Sequence, residues 1–152
     1  MDNGLTGLIG LARKAGKVEV GDEPVSIAAR THKARLILLA SDSAAGTLRH
    51  GAGLGEMGNC PALTVPLTKA ELGGAVGRSA CAILALTDVG FAAAVTKKLA
   101  AQDPERYGEA QQKLGYKAEK TLRRRRERRE REKAVQARQR KPWAPPPAGE
   151  KK

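Results

Sequence analysis

The sequence predicts a layered α/β sandwich followed by a strongly charged C-terminal arm. Three short apolar runs, at residues 36–40, 62–65 and 80–86, alternate with segments of helical periodicity, the pattern of strands covered by helices. Nearly all the Leu, Ile and Val lie before residue 100, so only that part can assemble a core. The charge divides at the same place: residues 1–99 hold 11 Lys/Arg against 8 Asp/Glu, and residues 100–152 hold 17 against 8. The chain of 152 residues is long enough for one ordinary domain. A net charge of +12 concentrated in the arm points to a polyanionic partner.

Leu5, Leu8, Ile9 and Ala12 stand at i, i+3, i+4 and i+7, a helical apolar stripe with Asn3 as its candidate cap and Arg13, Lys14 and Gly16 at its end. Lys17 to Val20 alternates as a brief strand. Asp22 is placed to cap a second helix with its body at Val25 to His32, and Pro24 fits the first turn, where no intrahelical N–H bond is lost. Leu36 to Ala40 is unbroken apolar sequence ended by Ser41-Asp42-Ser43, which predicts a central strand buried on both faces.

In residues 43–58, Gly46, Gly51, Gly53, Gly55 and Gly58 each weaken a helix by about 1 kcal/mol, so a short helix and then a loop are expected. Ala62 to Val65 is a strand closed by Pro66, and Thr68 to Glu71 has capping-box spacing before a short helix that Gly73, Gly74 and Gly77 should end. Ala80 to Leu86 is the third apolar strand. Thr87-Asp88 then opens a helix with Phe91, Val95 and Leu99 facing inward.

From Glu105 to about Arg140 charge dominates, and the folded core is expected to stop near residue 100. Glu109–Lys113, Glu119–Arg123 and Glu127–Arg131 place acids four residues before bases, the favourable order on a helix surface. Within Leu122 to Lys133 eight of twelve residues are basic. Arg123, Arg124, Arg125, Arg126, Arg128, Arg129 and Arg131 are therefore candidate phosphate contacts, which gain affinity by releasing counterions but read no bases. A solvated, solubilising helix is the alternative. The end of the chain, with Pro142, Pro145, Pro146 and Pro147, is expected to be extended and disordered.

Several function classes are disfavoured. One Phe, two Tyr and one Trp cannot furnish a base-stacking platform. Cys60 and Cys81 have neither CxxC spacing nor a nearby His, so they read as ordinary thiols and no metal or cofactor is expected. Gly53 to Gly58 spells GxGxxG but lacks the preceding strand that aims such a loop at a pyrophosphate. His32 and His50 have no nucleophile or acid that sequence connects to them, and Asp42 and Asp88 are placed as helix caps, so no enzyme is expected. With no apolar run long enough for a membrane span and no signal-type start, the cytoplasm is the expected location. The better candidate for a selective site is the turn where Lys17, Gly21, Asp22 and Glu23 lead from strand into helix.

Taken together, LIGLARKAGKVEVGDEPV at 8–25, ARLILLASDSA at 34–44 and LTKAELGGAVGRSACAILALTDVGFA at 67–92 resemble the bacterial, YlxQ-type branch of the ribosomal L-seven-Ae/L-thirty-e family over about residues 4–100. The resemblance implies a three-layer α-β-α sandwich with a small mixed sheet at 1–101, leaving 102–152 as an arginine-rich extension, helical in part. It implies binding to structured RNA, kink-turns in the best-known members, in or near the ribosome; RNA is the expected partner of a monomer, with ribosomal or translation proteins as further partners. The implied core contacts are the helix start after Gly21, with Glu23 and the flanking Lys14 and Lys17, and the loop Gly77-Arg78-Ser79. The chain departs from the kink-turn pattern at Glu23, Pro24 and Ile27, where those members carry Asn-Glu and then Lys. A protein-interaction module docking a translation or transcription factor is the second reading, favoured by that departure.

Overall fold

The two most apolar strands need cover on both faces, and they occupy the middle of the sheet. In the computed structural model, which describes residues 4–139, the elements run α1 Leu5–Lys14, β1 Val18–Val20, α2 Asp22–Arg30, β2 Leu36–Leu39, α3 Ala45–Gly58, β3 Ala62–Thr64, α4 Lys69–Ala75, β4 Ile83–Leu86, α5 Val89–Gln102 and α6 Pro104–Gln139. The strand order is β1-β4-β2-β3. β4 pairs antiparallel with β1 and β2, and β2 pairs parallel with β3, so the sheet is mixed. Every residue of β2 and β4 is buried, as their continuous apolar sequence requires.

Two apolar layers sandwich this sheet. Leu5 and Ile9 of α1, Leu72 of α4, and Val95 and Leu99 of α5 pack with Leu36, Leu38, Leu84 and Leu86 on one face. Val25, Ala28 and Ala29 of α2 and Leu54 of α3 pack with Ile37, Leu39, Ile83 and Ala85 on the other. The predicted α-β-α arrangement is therefore the one observed.

Several local expectations hold because their determinants lie within a few residues. Thr68 accepts from the Glu71 amide at 3.2 Å and Glu71 accepts from the Thr68 amide at 2.9 Å, completing the capping box of α4. Asp88 accepts from the Phe91 amide at 3.1 Å at the start of α5. Asp42 does not cap the helix that follows it, whose cap residue is Ala44; its carboxylate instead accepts from the Lys69 amide at 2.8 Å, holding the end of β2 to the start of α4.

Other expectations are corrected. The segment expected to be a short helix and a loop is one helix, α3, unbroken to Gly58. Three of its five glycines lie against close neighbours: a Cβ on Gly51 would lie 2.7 Å from a Leu39 methyl, on Gly55 2.9 Å from the Cys60 carbonyl, and on Gly58 3.1 Å from the Ala29 backbone, whereas Gly46 and Gly53 have room for one. The close packing offsets the cost of glycine, and the GxGxxG stretch lies inside a helix. Gly73 and Gly74 likewise lie within α4, which ends at Ala75, with Gly77 at φ 75° just beyond. The third predicted strand is shorter than its apolar run, spanning Ile83–Leu86.

Asp22 does not cap α2. Gly21 holds the cap position at φ 98°, ψ 164°, a conformation that favours glycine, and Asp22 is the first helical residue. The helix stops at Arg30 rather than His32, which turns away at φ 57°. Asn3 and the proline-rich end lie outside the described residues; Gly4 is the N-cap of α1.

Nor does the core stop near residue 100. Tyr107, Ala110 and Leu114 of α6 are buried, Tyr107 and Leu114 joining the first apolar layer, and the Tyr107 hydroxyl donates to the Thr64 carbonyl at 2.6 Å. The compact unit accordingly runs to Ala118. From Glu119 to Gln139 a second unit is helical and almost wholly exposed. Of the acid–base spacings in the arm, Glu109–Lys113 closes at 3.6 Å.

Candidate nucleic-acid interface

A cleft of about 350 Å³ opens at the end of the sheet where β1 leaves and β4 enters. It is lined by Gly21 and Asp22 at the start of α2, Gly46, Thr47 and His50 in the first turns of α3, and Arg78 with Ala80 to Ile83 on the α4–β4 connection. Three segments distant in sequence meet there because β1 and β4 are neighbours: the Gly21 amide donates to the Ile83 carbonyl at 3.1 Å. Arg78 is fixed from behind, its amide donating to the Gly73 carbonyl at 2.7 Å while the Cys81 amide donates to the Lys69 carbonyl at 2.9 Å.

The electrostatics favour an anion. The first-turn N–H groups of a helix have no intrahelical acceptor and carry the positive end of the helix dipole. Neither Gly21 nor Ala44, the cap residues of α2 and α3, supplies a side-chain acceptor for them. Two such helix starts thus face one cleft, and Arg78 lines it beside them. The Asp22 carboxylate opposes an anion at this point, and it accepts a hydrogen bond from His50 Nε2 at 2.6 Å. His50, Thr47 and Gly46 were not identified by sequence reasoning. The residues of the pair, Asp22 and His50, stand 28 apart, and no local spacing connects them.

The predicted core residues are only partly brought together. Gly21 and Arg78 share the cleft. Gly77 and Ser79 are exposed on the same loop without lining it. Lys17 lies at the opposite end of β1, its carbonyl accepting from the Thr87 amide at 2.9 Å, about 13 Å of strand away from Gly21. Lys14, in the last turn of α1, precedes it and is exposed. Glu23 faces a separate groove with Glu19, Pro24, Ile27, Ala28 and Lys33. The seven arginines from Arg123 to Arg131 are all exposed on the helical second unit.

Burial pushes both thiols up from the ordinary range, disfavouring the thiolate. At Cys60, Lys117 and Arg35 partly oppose this; at Cys81, a backbone hydrogen bond at Ile83 and the charge of Arg78 do so. Among the described residues no three His, Cys, Asp or Glu side chains are grouped to hold a metal, and no helix is long and apolar enough to cross a membrane.

The fold and cleft define a class of small α-β-α domains that present helix starts and a basic loop at one end of the sheet. No family model matches the chain. A curated relative, RNA-binding protein YlxQ of Bacillus subtilis (strain 168), is 35% identical over 89 residues, covering 56% of this chain and 84% of the relative. The chain belongs to the YlxQ family, as its ordered sequence blocks imply. A solved structure of a protein with unknown function from Bacillus halodurans C shares the fold, with a TM-score of 0.60 at 24% identity over 64% of this chain and 97% of that one.

Proposed function

We propose that the chain is a non-catalytic, ribosome-associated protein of the bacterial cytoplasm that binds structured RNA as a monomer. The core supplies shape recognition, and the arginines from Arg123 to Arg131 supply phosphate affinity. One observation carries the reading: two helix starts without side-chain caps and Arg78 converge on one cleft, in a chain whose relative is named an RNA-binding protein. Amides and a guanidinium arranged in this way suit phosphate and base edges. A kink-turn is the obvious first RNA probe, but Glu23 and Ile27 stand outside the cleft, so its recognition would rest on backbone amides and Arg78 rather than on those side chains.

Filter binding of ribosomal RNA across a salt series tests this. Arg78→Gln should weaken binding several-fold and lower the salt slope by about 1, as expected for loss of one phosphate contact. Truncation after Ala118, which keeps Tyr107 and Leu114, should cost more than Arg78→Gln. Failure of the full chain to bind ribosomal RNA even in dilute salt would refute the proposal.

The groove beside Glu23 favours a second reading. Ile27 is 46% exposed there beside Pro24, an apolar surface suited to a protein partner such as a ribosomal or translation protein. A partner retained in pull-downs after nuclease treatment, and lost with Ile27→Asp, would select that reading.

A further inference from the structure

The charges of the exposed turns from Glu119 to Gln139 are not spread evenly around the helix. At 3.6 residues per turn, Glu119, Glu127 and Glu130 fall on one side together with Arg123 and Arg126. Arg123 has an acid four residues before it and another four after it, and Arg126 has one four after it, so this side is nearly neutral. The rest of the surface carries two basic rows. Lys120, Arg124, Arg128 and Arg131 follow one another at spacings of three or four, as do Arg125, Arg129 and Lys133, with Glu132 the one acid between the rows. Arg125 has no acid at any helical neighbour position.

The rows are centred roughly 140° apart on a cylinder about 10–12 Å across. Rows so separated cannot both lie along the phosphates of one extended strand. They can meet phosphates on two facing walls, which is the situation of a helix lying in a groove between two strands. The regular major groove of an RNA duplex is too narrow and deep for this. We propose that this helix inserts, basic rows outward to either wall, into the groove of an RNA stem widened by an internal loop or bulge. The inference rests on the RNA-binding reading above.

The test uses the full chain and four labelled probes: an RNA stem with a central internal loop, the same stem fully paired, one strand alone, and a DNA duplex of the same sequence. Three double variants each remove two charges with little change in helix propensity: R124Q/R131Q, R125Q/R129Q and R123Q/R126Q. The first two should each weaken binding to the interrupted stem about tenfold and lower its salt slope by about two. R123Q/R126Q, whose arginines have Glu119, Glu127 and Glu130 four residues away, should also weaken binding, but only about two- to threefold. Equal losses in all three would overturn the two-row face, leaving diffuse attraction. Equally tight binding of the paired stem, the single strand or the DNA duplex would overturn the widened RNA groove. Both results leave the RNA-binding reading standing, whereas failure to bind every RNA probe, ribosomal RNA included, refutes that reading and this inference with it.

Discussion

Adjacent glycines in α4 should respond oppositely to the same substitution. A Cβ on Gly73 would lie 2.7 Å from the Ala80 backbone and 2.8 Å from the Arg78 carbonyl, whereas a Cβ on Gly74 meets nothing within 4 Å. The atoms facing Gly73 belong to main chain, so the α4–β4 loop itself must move. Such overpacking costs about 1–3 kcal/mol, and alanine recovers up to about 1 kcal/mol of helix propensity. Gly73→Ala should therefore lose about 1–2 kcal/mol, lowering the urea midpoint by roughly 0.5–1 M for a denaturant slope near 2 kcal/mol/M. Gly74→Ala should gain about 0.5–1 kcal/mol and raise the midpoint. Near-ultraviolet circular dichroism, sensitive to packing around buried Tyr107, follows the unfolding of the compact unit. Since the displaced loop carries Arg78, Gly73→Ala should also weaken RNA binding while Gly74→Ala leaves it unchanged. A Gly73→Ala protein that unfolds at or above the wild-type midpoint would refute the claim that this glycine is required by a close approach.

The remaining predictions concern the root of α6. Leu114→Ala, at a side chain 1% exposed, should cost about 2–5 kcal/mol by calorimetry, whereas Leu122→Ala, 56% exposed, should stay within about 0.5 kcal/mol. Tyr107→Phe should cost about 1–2 kcal/mol near neutral pH through loss of the bond to the Thr64 carbonyl. Burial, aided by Asp103 and opposed by Arg106, raises the Tyr107 phenol above its ordinary value. Its stabilising contribution is thus complete below the unfolded value, about 10, and is lost as pH rises through the folded value. Urea midpoints measured across the alkaline range should fall more steeply for wild type than for Tyr107→Phe; parallel curves would contradict the assignment.

What could be read from the sequence follows the range of the interaction responsible. The continuous run from Leu36 to Leu39, the Thr68–Glu71 box and the Asp88 cap are set within a few residues, and each is found as expected. The glycines of α3 predict a loop because their cost is local, whereas the benefit of Gly51, Gly55 and Gly58 arises against Leu39, Cys60 and Ala29. The buried positions Tyr107, Ala110 and Leu114 do have helical spacing, but they are few and set among charges. At the cleft, Gly21 and Asp22 are legible from the turn between strand and helix, and Arg78 through family resemblance. His50 is not, since its relation to Asp22 exists only after α2 and α3 pack together.

The bond from Tyr107 to Thr64 has a consequence for solubility. β3 is an outer strand, and in its parallel pairing with β2 the Pro61 carbonyl and the Val65 amide point inward to β2, leaving Thr64 directed outward. An outward main-chain acceptor of this kind is a template on which another molecule's strand can nucleate. The phenol occupies it, so the stem of the charged arm blocks one docking point on that border, and shortening the chain ahead of Tyr107 would uncover it.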